Sequence, residues 1–229
     1  DEGAIAICVI AERGGILSAP DMYMRKLCVG ATAKGKVDIT APIAETMGAV
    51  AESYGRDVQD ITAIVLDRPR HEQLIAEIRE TGARIRLIPD GDITASMSAA
   101  VRGTGDHVYI GSGGSTEGVI TAAALECLGG EIQAQFAPNS ENQVAELAKF
   151  GVTDLEKVLS TTDLASAPLY VIATGVTDGN LLRGVRYFAG GARTHSIALN
   201  LRRGTIRFID TVHLLDGKPA HEIRLSGVA

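Results

Sequence analysis

Three polar clusters in the middle of the chain combine residue types that bind phosphates, sugars and metal ions. They occupy residues 67–71, 89–92 and 111–118, and each follows a short apolar run. Together they hold two Arg, two Asp and one Glu that are candidates for a shared site. Guanidinium groups bind phosphate bidentately, and carboxylates accept hydrogen bonds from hydroxyls or ligate hard cations. The clusters therefore predict a site for a small anionic ligand, if the fold brings them together.

The segments around these clusters indicate how they are positioned. The apolar runs 61–66, 84–88 and 107–110 are short enough for strands, and segments with helical spacing follow each cluster. Such alternation predicts parallel βα units in an α/β fold. An open sheet of this type binds ligands at the carboxyl ends of its strands. We therefore expect all three clusters at one edge of the sheet.

The first cluster places Arg68 and Arg70 on either side of Pro69. Proline favours an extended turn over a helix here, and in an extended stretch residues two apart point the same way. Both guanidiniums are then expected to face one anion. The alternative is a solvated pair at a helix N-terminus, which the spacing favours about equally. His71 follows directly, and it is the one histidine near a proposed site.

The second cluster contains Asp90 and Asp92, with Gly91 between them. These carboxylates are suited to sugar hydroxyls or a hard cation, and Gly91 is free to adopt a positive φ. The alternative is a turn in which Asp92 caps a helix that begins at Ile93. Spacing alone favours the cap.

The third cluster, residues 111–118, is rich in glycine and leads into a helix that begins near Glu117. A glycine-rich loop before a helix exposes backbone N–H groups to an anion. The cluster lacks the Gly-Lys-Ser/Thr ending of a P-loop and a full dinucleotide-binding fingerprint. Glu117 either complements the helix dipole or ligates a divalent cation that bridges to a phosphoryl oxygen.

Composition narrows the class of protein. The 229 residues are 45% hydrophobic and 22% charged, with a net charge of −6 spread along the chain, which argues against a nucleic-acid surface. No apolar run approaches a membrane span and no signal peptide is evident, so a cytoplasmic location is expected by default. The three cysteines are widely spaced and predict reduced, buried thiols. Histidine spacing does not predict a zinc site.

The flanking segments predict further elements. Residues 4–11 read as a strand with 16–19 as its hairpin partner, and Thr40 is placed to cap a helix that Gly55 ends. Residues 184–225 predict an antiparallel meander, with runs at 196–201, 205–212 and 222–225 and a turn at Arg203-Gly204. The chain begins at Asp1 and enters a strand almost at once, which suggests a fragment of a longer protein.

Six short motifs, in this order, resemble the class II, GlpX-type fructose-1,6-bisphosphatases. This bacterial family also includes enzymes that act on sedoheptulose 1,7-bisphosphate. The motifs are Ala-Pro-Asp-Met-Tyr-Met at 19–24, Arg-Pro-Arg-His at 68–71, Asp-Gly-Asp at 90–92, Glu-Gly-Val at 117–119, Ala-Thr-Gly-Val at 173–176 and Asp-Thr-Val-His at 210–213. The resemblance spans essentially the whole chain, and the joint occurrence of the motifs makes it specific.

The resemblance implies the layered α/β/α fold of the metal-dependent, lithium-sensitive sugar phosphatases. It implies hydrolysis of the 1-phosphate of fructose 1,6-bisphosphate with Mn²⁺ or Mg²⁺, in gluconeogenesis or the Calvin cycle, by a homo-oligomer. Glu117 is implied as a catalytic residue and metal ligand. The implied substrate contacts are Tyr23, Arg68, Pro69, Arg70, Asp90, Gly91, Asp92 and Gly114.

Two departures from the family pattern qualify this expectation. The family loop usually reads Gly-Gly-Ala-Pro-Glu-Gly, whereas residues 113–118 read Gly-Gly-Ser-Thr-Glu-Gly. The N-terminal third of the family, with most metal carboxylates, has no counterpart in these residues, so residues 1–229 are expected to form a single partial domain, the C-terminal two-thirds of such an enzyme. The alternative function is a catalytically inactive sugar-phosphate-binding or regulatory module.

Overall fold

The computed structural model describes residues 3–166 and 168–214, which form two β-sheets separated and flanked by helices. The strands are β1 (Ile5–Ala11), β2 (Tyr23–Val29), β3 (Thr62–Leu66), β4 (Arg84–Ile88), β5 (Val108–Gly114), β6 (Glu131–Phe136), β7 (Leu169–Gly175), β8 (Arg186–Phe188), β9 (Gly191–Asn200) and β10 (Thr205–Leu214). The α-helices are α1 (Ile43–Tyr54), α2 (Glu72–Glu80), α3 (Asp92–Ala100), α4 (Ser115–Leu128), α5 (Glu141–Lys149) and α6 (Thr161–Leu164).

The first sheet is mixed and has the strand order β4-β3-β5-β2-β6. Strand β3 runs parallel to both β4 and β5, whereas β2 runs antiparallel to β5 and β6. Leu66 at the end of β3 pairs with Ile88 at the end of β4, and the N–H of Asp67 donates to the carbonyl oxygen of Ile88 at 2.8 Å. The carboxyl ends of β3, β4 and β5 therefore share one edge, which confirms the predicted parallel βα units.

Helices cover both faces of this mixed sheet because successive side chains along each strand alternate between the faces. On one face, Val65 belongs to a buried cluster with Met47 of α1 and Ile78 of α2. On the other face, Ile64 belongs to a larger cluster with Leu125 of α4. The predicted α/β/α layering is confirmed.

The second sheet is antiparallel and packs on the far side of the α3/α4 layer. Its strand order is β1-β7-β9-β10, with β8 paired to β9. Val171 of β7 and Ile197 of β9 belong to the same buried cluster as Leu125 of α4. The hairpin of β9 and β10 turns at residues 201–204 and confirms the predicted antiparallel C-terminal meander. The predicted run 222–225 lies outside the described residues.

The predicted hairpin between residues 4–11 and 16–19 is wrong. Strand β1 instead pairs along its whole length with β7, which is far away in the chain, from Ile5 opposite Gly175 to Ala11 opposite Leu169. Ile16 forms an isolated bridge to Ala165. One face of β1 is half-buried and the other is exposed, so the expected burial of both faces is wrong. The partner strand β7 is so far away in the chain that a local reading of the sequence does not reveal the pairing.

Helix α1 confirms its predicted end and corrects its predicted start. Gly55 adopts a left-handed conformation with φ of 61° and ends the helix. Pro42 occupies the N-cap position, and no side-chain hydrogen bond caps this end of the helix. Thr40 instead donates from its hydroxyl to the carboxylate of Asp38 at 2.7 Å. The prediction that Thr40 caps α1 is therefore wrong, because the extended Pro42 separates it from the first helical turn.

The cysteines differ in environment, so the prediction of three buried thiols is confirmed for Cys28, holds only in part for Cys127 and is wrong for Cys8. Cys28 is buried, and burial raises its pKa to about 12. Cys127 is half-buried, and desolvation raises its pKa to about 11. Cys8 is exposed because it points to the outer face of β1.

Candidate active site

The predicted polar clusters meet at the shared carboxyl edge of β3, β4 and β5. Gly114 at the end of β5 lies opposite Tyr23 at the start of β2, so the antiparallel strand brings a fourth segment to this edge. Several clefts open there, and two of them bear on the predicted site. One is lined by Asp90, Asp92 and Glu117, and the other by Arg70 together with residues of β2, β5, α1 and α2. The edge therefore presents carboxylates in one cleft and a guanidinium in the other.

Arg70 is held at this edge by two kinds of contact. Its Nη2 and Nε donate to the carbonyl oxygen of Ser112 at 2.8 and 3.2 Å. Its guanidinium carbon lies 4.8 Å from the centre of the Tyr23 ring, which is a cation–π geometry. Arg70 is exposed, and no carboxylate in the described residues forms an ion pair with it. An exposed guanidinium fixed in this way can bind an anion such as a phosphate.

Arg68 does not share the arrangement of Arg70, and the predicted extended turn is wrong. Pro69 begins a single turn of 3-10 helix, Pro69–His71, since proline lacks an N–H group and is favoured at the first helical position. The strand-like alternation that would align the two guanidiniums is therefore absent. Arg68 donates from Nη1 to the carbonyl oxygen of Asp67 at 3.0 Å.

His71 links the end of β3 to β5. Its side chain is buried, its Nδ1 lies 2.8 Å from the carbonyl oxygen of Leu66, and its Nε2 accepts the N–H of Ser112 at 2.8 Å. These contacts require a neutral ring that donates from Nδ1. Burial lowers the pKa of His71, and the nearby guanidiniums of Arg70 and Arg68 lower it further against the opposing effect of its backbone hydrogen bonds. His71 therefore positions the strand that holds Arg70.

The Asp90-Gly91-Asp92 turn separates the two carboxylates into different environments. Gly91 has φ of 89°, a left-handed conformation that confirms the expected need for glycine. Asp90 is exposed, and its Oδ1 accepts the N–H of Gly91 at 2.8 Å. Asp92 is buried and is the first residue of α3, with Gly91 at the N-cap. The prediction that Asp92 caps a helix from Ile93 is therefore wrong.

Asp92 instead forms a buried ion pair with Lys26 of β2. The Nζ of Lys26 lies 2.7 Å from Oδ2 of Asp92, and the two side chains are 1% and 11% exposed. Lys26 belongs to the lining of the cleft that contains Arg70, and Asp92 to the lining of the carboxylate cleft. Sequence reasoning missed Lys26. The available signal was a lysine in β2 that is followed directly by an apolar run.

The glycines at 111, 113 and 114 belong to strand β5, so the predicted glycine-rich loop is wrong. Polar side chains from other elements pack so closely against the strand that these positions leave little room for a Cβ atom. A Cβ at Gly111 would lie 3.2 Å from Cε1 of His71, and a Cβ at Gly113 would lie 2.5 Å from Oδ2 of Asp92. A Cβ at Gly114 would collide with Glu117. The glycine pattern therefore reflects close packing of the site residues against the strand.

Glu117 lies in the first turn of α4 and is half-buried. Its Oε2 accepts a hydrogen bond from the hydroxyl of Thr116 at 2.8 Å. The start of α4 is anchored by Ser115, whose hydroxyl donates to the carbonyl oxygen of Pro20 at 2.5 Å and whose N–H donates to the carbonyl oxygen of Met22 at 2.8 Å. The carboxylate of Glu117 is thereby positioned beside Asp90 and Asp92 in the same cleft.

These carboxylates do not by themselves form a metal centre. Residues 3–166 and 168–214 contain no group of three or more His, Cys, Asp or Glu placed to hold a metal ion. Asp92 is engaged by Lys26, and Asp90 accepts from its own turn, which leaves Glu117 as the carboxylate best placed to ligate. Hard divalent cations take about six or more oxygen ligands. The described residues therefore do not fit a complete Mn²⁺ or Mg²⁺ site.

Comparison with known proteins relates this site to one family. The family model for bacterial, glpX-encoded fructose-1,6-bisphosphatase matches residues 1–213. A Synechococcus protein named D-fructose 1,6-bisphosphatase class 2/sedoheptulose 1,7-bisphosphatase is 44% identical over 97% of this chain and 68% of its own length. Proteins of the same name from Gloeobacter violaceus and Synechococcus elongatus are 44% and 42% identical over 98% and 93% of this chain, and over 68% and 66% of their own lengths.

No helix in the described residues is both long and apolar enough to cross a membrane. The predicted resemblance is confirmed over nearly the whole chain by the family model and by these relatives. The chain belongs to the glpX-encoded bacterial fructose-1,6-bisphosphatase family.

Proposed function

We propose that this chain binds fructose 1,6-bisphosphate at the shared edge of β3, β4 and β5 and takes part in hydrolysis of its 1-phosphate. Sedoheptulose 1,7-bisphosphate is proposed as a second substrate, because the curated relatives carry both activities in their names. The observation that carries this proposal is the pairing of an exposed, anchored Arg70 with a cleft of carboxylates at one sheet edge.

The cleft that contains Arg70 and the cleft that contains the carboxylates suit different parts of a sugar bisphosphate. Arg70 retains N–H donors beyond the two directed to Ser112, and these are proposed to bind the phosphate distant from the reacting one. Asp90 and Asp92 are proposed to accept hydrogen bonds from sugar hydroxyls. Tyr23 supports the guanidinium of Arg70 through its ring and is proposed to contact the substrate.

Three of the remaining site residues are proposed to act through the shape of the backbone, and Arg68 through its guanidinium. Gly114 is proposed to let the substrate approach β5 closely, and Gly91 supplies the left-handed turn that separates Asp90 from Asp92. Pro69 starts the helical turn that presents Arg70. Arg68 is proposed as a weaker contributor to phosphate binding, since its guanidinium turns back to Asp67.

A divalent cation, Mn²⁺ or Mg²⁺, is proposed as the cofactor on the basis of the family resemblance. Glu117 is proposed to contribute one oxygen ligand, in keeping with its half-buried position in the carboxylate cleft. A bound cation would supply charge neutralisation at the reacting phosphate. A homo-oligomeric state and a cytoplasmic location remain predictions from the sequence.

The experiment that tests this function is phosphate release from fructose 1,6-bisphosphate by the full-length protein in the presence of Mn²⁺, comparing the wild type with Glu117→Gln. Loss of release in the variant, with unchanged sugar-bisphosphate affinity, is the expected result. Glu126→Gln, in the same helix α4, serves as the matched control. Release that continues undiminished in Glu117→Gln would overturn the proposed role of Glu117.

A second candidate function is a sugar-phosphate-binding or regulatory module without activity of its own. The observation that favours it is the lack of a group of three metal-capable side chains in the described residues. One measurement distinguishes the two functions. Saturable binding of fructose 1,6-bisphosphate without any phosphate release in Mn²⁺ or Mg²⁺ would support the binding module, and release would exclude it.

A further inference from the structure

Lys26 is a buried cation in strand β2, and its ammonium group faces a site residue. Its side chain is 1% exposed, and its Nζ donates to Oδ2 of Asp92 at 2.7 Å. Asp92 begins α3 and lines the carboxylate cleft. Because Lys26 is this deeply buried, it acts on a ligand in that cleft through Asp92 rather than by direct contact.

The surrounding backbone is shaped to admit this pair. A Cβ at Gly113 would lie 2.5 Å from Oδ2 of Asp92 and 3.1 Å from Nζ of Lys26. A Cβ at Gly118 would lie 3.4 Å from Cε of Lys26. Two glycines, one in β5 and one in the first turn of α4, thus leave room for the ion pair. The space is matched to these side chains.

Stability alone does not account for a lysine at this position. A buried ion pair must overcome the desolvation of both charges, and an apolar pair of similar volume is often as stable or more stable. The first turn of α4, at Gly118, also places the positive end of a helix dipole near the ammonium group. Burying the ion pair therefore costs desolvation free energy, and a functional role for Asp92 would explain why a lysine is nevertheless present.

We propose that Lys26 is a positioning residue for Asp92. It holds Oδ2 of Asp92 against β5, so that the second oxygen is presented to sugar hydroxyls in the cleft. Lys26 has no assigned role in the family resemblance described above. This inference rests on the proposed sugar-bisphosphate function.

The test is a double-mutant cycle on the affinity of the full chain for fructose 1,6-bisphosphate, measured by calorimetry without metal. Lys26→Met and Asp92→Asn are each expected to weaken binding roughly 10- to 100-fold, which is the range of a hydrogen bond to a charged group. The double variant is expected to bind as weakly as Asp92→Asn alone, because Lys26 acts through Asp92. The exposed Lys34→Met is the control and is expected to bind like the wild type.

Losses that multiply in the double variant would overturn the proposal, since Lys26 would then act independently of Asp92. If Lys26→Met does not fold, the comparison of the double variant with Asp92→Asn still decides the point, because both buried charges are neutralised together. A crystal structure of Lys26→Met adds a readout that needs no ligand. An Asp92 carboxylate that stays in place would overturn the positioning role, whereas a wild type without affinity for the sugar bisphosphate would overturn the proposed function.

Discussion

Arg70 donates two hydrogen bonds to the carbonyl oxygen of Ser112, from Nη2 at 2.8 Å and from Nε at 3.2 Å. The two residues lie 42 positions apart in the chain and meet where β3 and β5 end. His71 strengthens the same junction by accepting the N–H of Ser112 at 2.8 Å. Ser112 is therefore held through both its N–H and its carbonyl oxygen by the turn that follows β3, and the guanidinium of Arg70 is fixed at the edge of the sheet.

Replacement of Arg70 by methionine is expected to weaken binding of fructose 1,6-bisphosphate by roughly 10- to 100-fold, because a charged hydrogen bond to a phosphate contributes about 1.5–3 kcal/mol. Arg68→Met is expected to have a smaller effect, since Arg68 donates to the carbonyl of Asp67. Calorimetric titration measures both. The exposed Arg79→Met, in the last turn of α2, is the matched control. Equal losses for Arg68→Met and Arg70→Met would contradict the difference in their geometry.

The Tyr23 ring is expected to matter more than its hydroxyl for holding Arg70. Tyr23→Phe keeps the ring 4.8 Å from the guanidinium and is expected to change affinity for the sugar bisphosphate by less than about threefold. Tyr23→Ala removes a cation–π contact worth about 0.5–2 kcal/mol and is expected to lower affinity by up to about 30-fold. Competition binding with fructose 1,6-bisphosphate compares the two. Equal effects would show that the hydroxyl, rather than the ring, is the contact that counts.

Glycine at position 113 is expected to be required by packing. In Gly113→Ala the new methyl group meets the Asp92 carboxylate and Nζ of Lys26, and the overpacking is expected to lower the free energy of unfolding by about 1–3 kcal/mol. Gly48→Ala, in the interior of α1 with no atom close to its Cβ position, is expected to raise stability by about 0.5–1 kcal/mol. Urea unfolding followed by circular dichroism measures both. A neutral Gly113→Ala would contradict the tight contact.

The lowered pKa of His71 predicts that the free energy of unfolding decreases at mildly acidic pH. Burial lowers the pKa of His71 below its ordinary value of 6.5, so the unfolded chain binds a proton that the folded chain resists. The resulting stability is fully present above pH 6.5 and is lost as the pH falls through the folded-state pKa. The slope is at most about 1.4 kcal/mol per pH unit for one group.

The measurement is the free energy of unfolding in urea from pH 7.5 down to 5. His107 and His195 also have pKa values lowered by burial and contribute to the same trend. His71→Gln can retain a donor to Leu66 and an acceptor for Ser112, and it is expected to show a shallower decline than the wild type. Identical declines would show that His71 does not titrate on unfolding.

Patterns local in sequence predicted much of the architecture. The alternation of short apolar runs with helical segments correctly placed β3, β4 and β5 at one edge, and Gly55 correctly ended α1. The C-terminal hairpin was also evident, because Arg203-Gly204 separates two apolar runs. These features depend on residues close together in the chain.

Features that depend on long-range contacts were missed. The glycines of β5 looked like a phosphate-binding loop, because sequence cannot distinguish a glycine that bends the chain from one that makes room for a side chain from another element. Asp92 looked like a helix cap, because its partner Lys26 lies 66 positions away. The pairing of β1 with β7 was likewise hidden by its separation in sequence.

The most direct test of the proposed site is a crystal structure of the chain with fructose 1,6-bisphosphate bound. We predict one phosphate within hydrogen-bond distance of Arg70 and sugar hydroxyls on Asp90 and Asp92, at the shared edge of β3, β4 and β5. A sugar bisphosphate bound away from this edge, or bound there without contact to Arg70, would contradict the central claim.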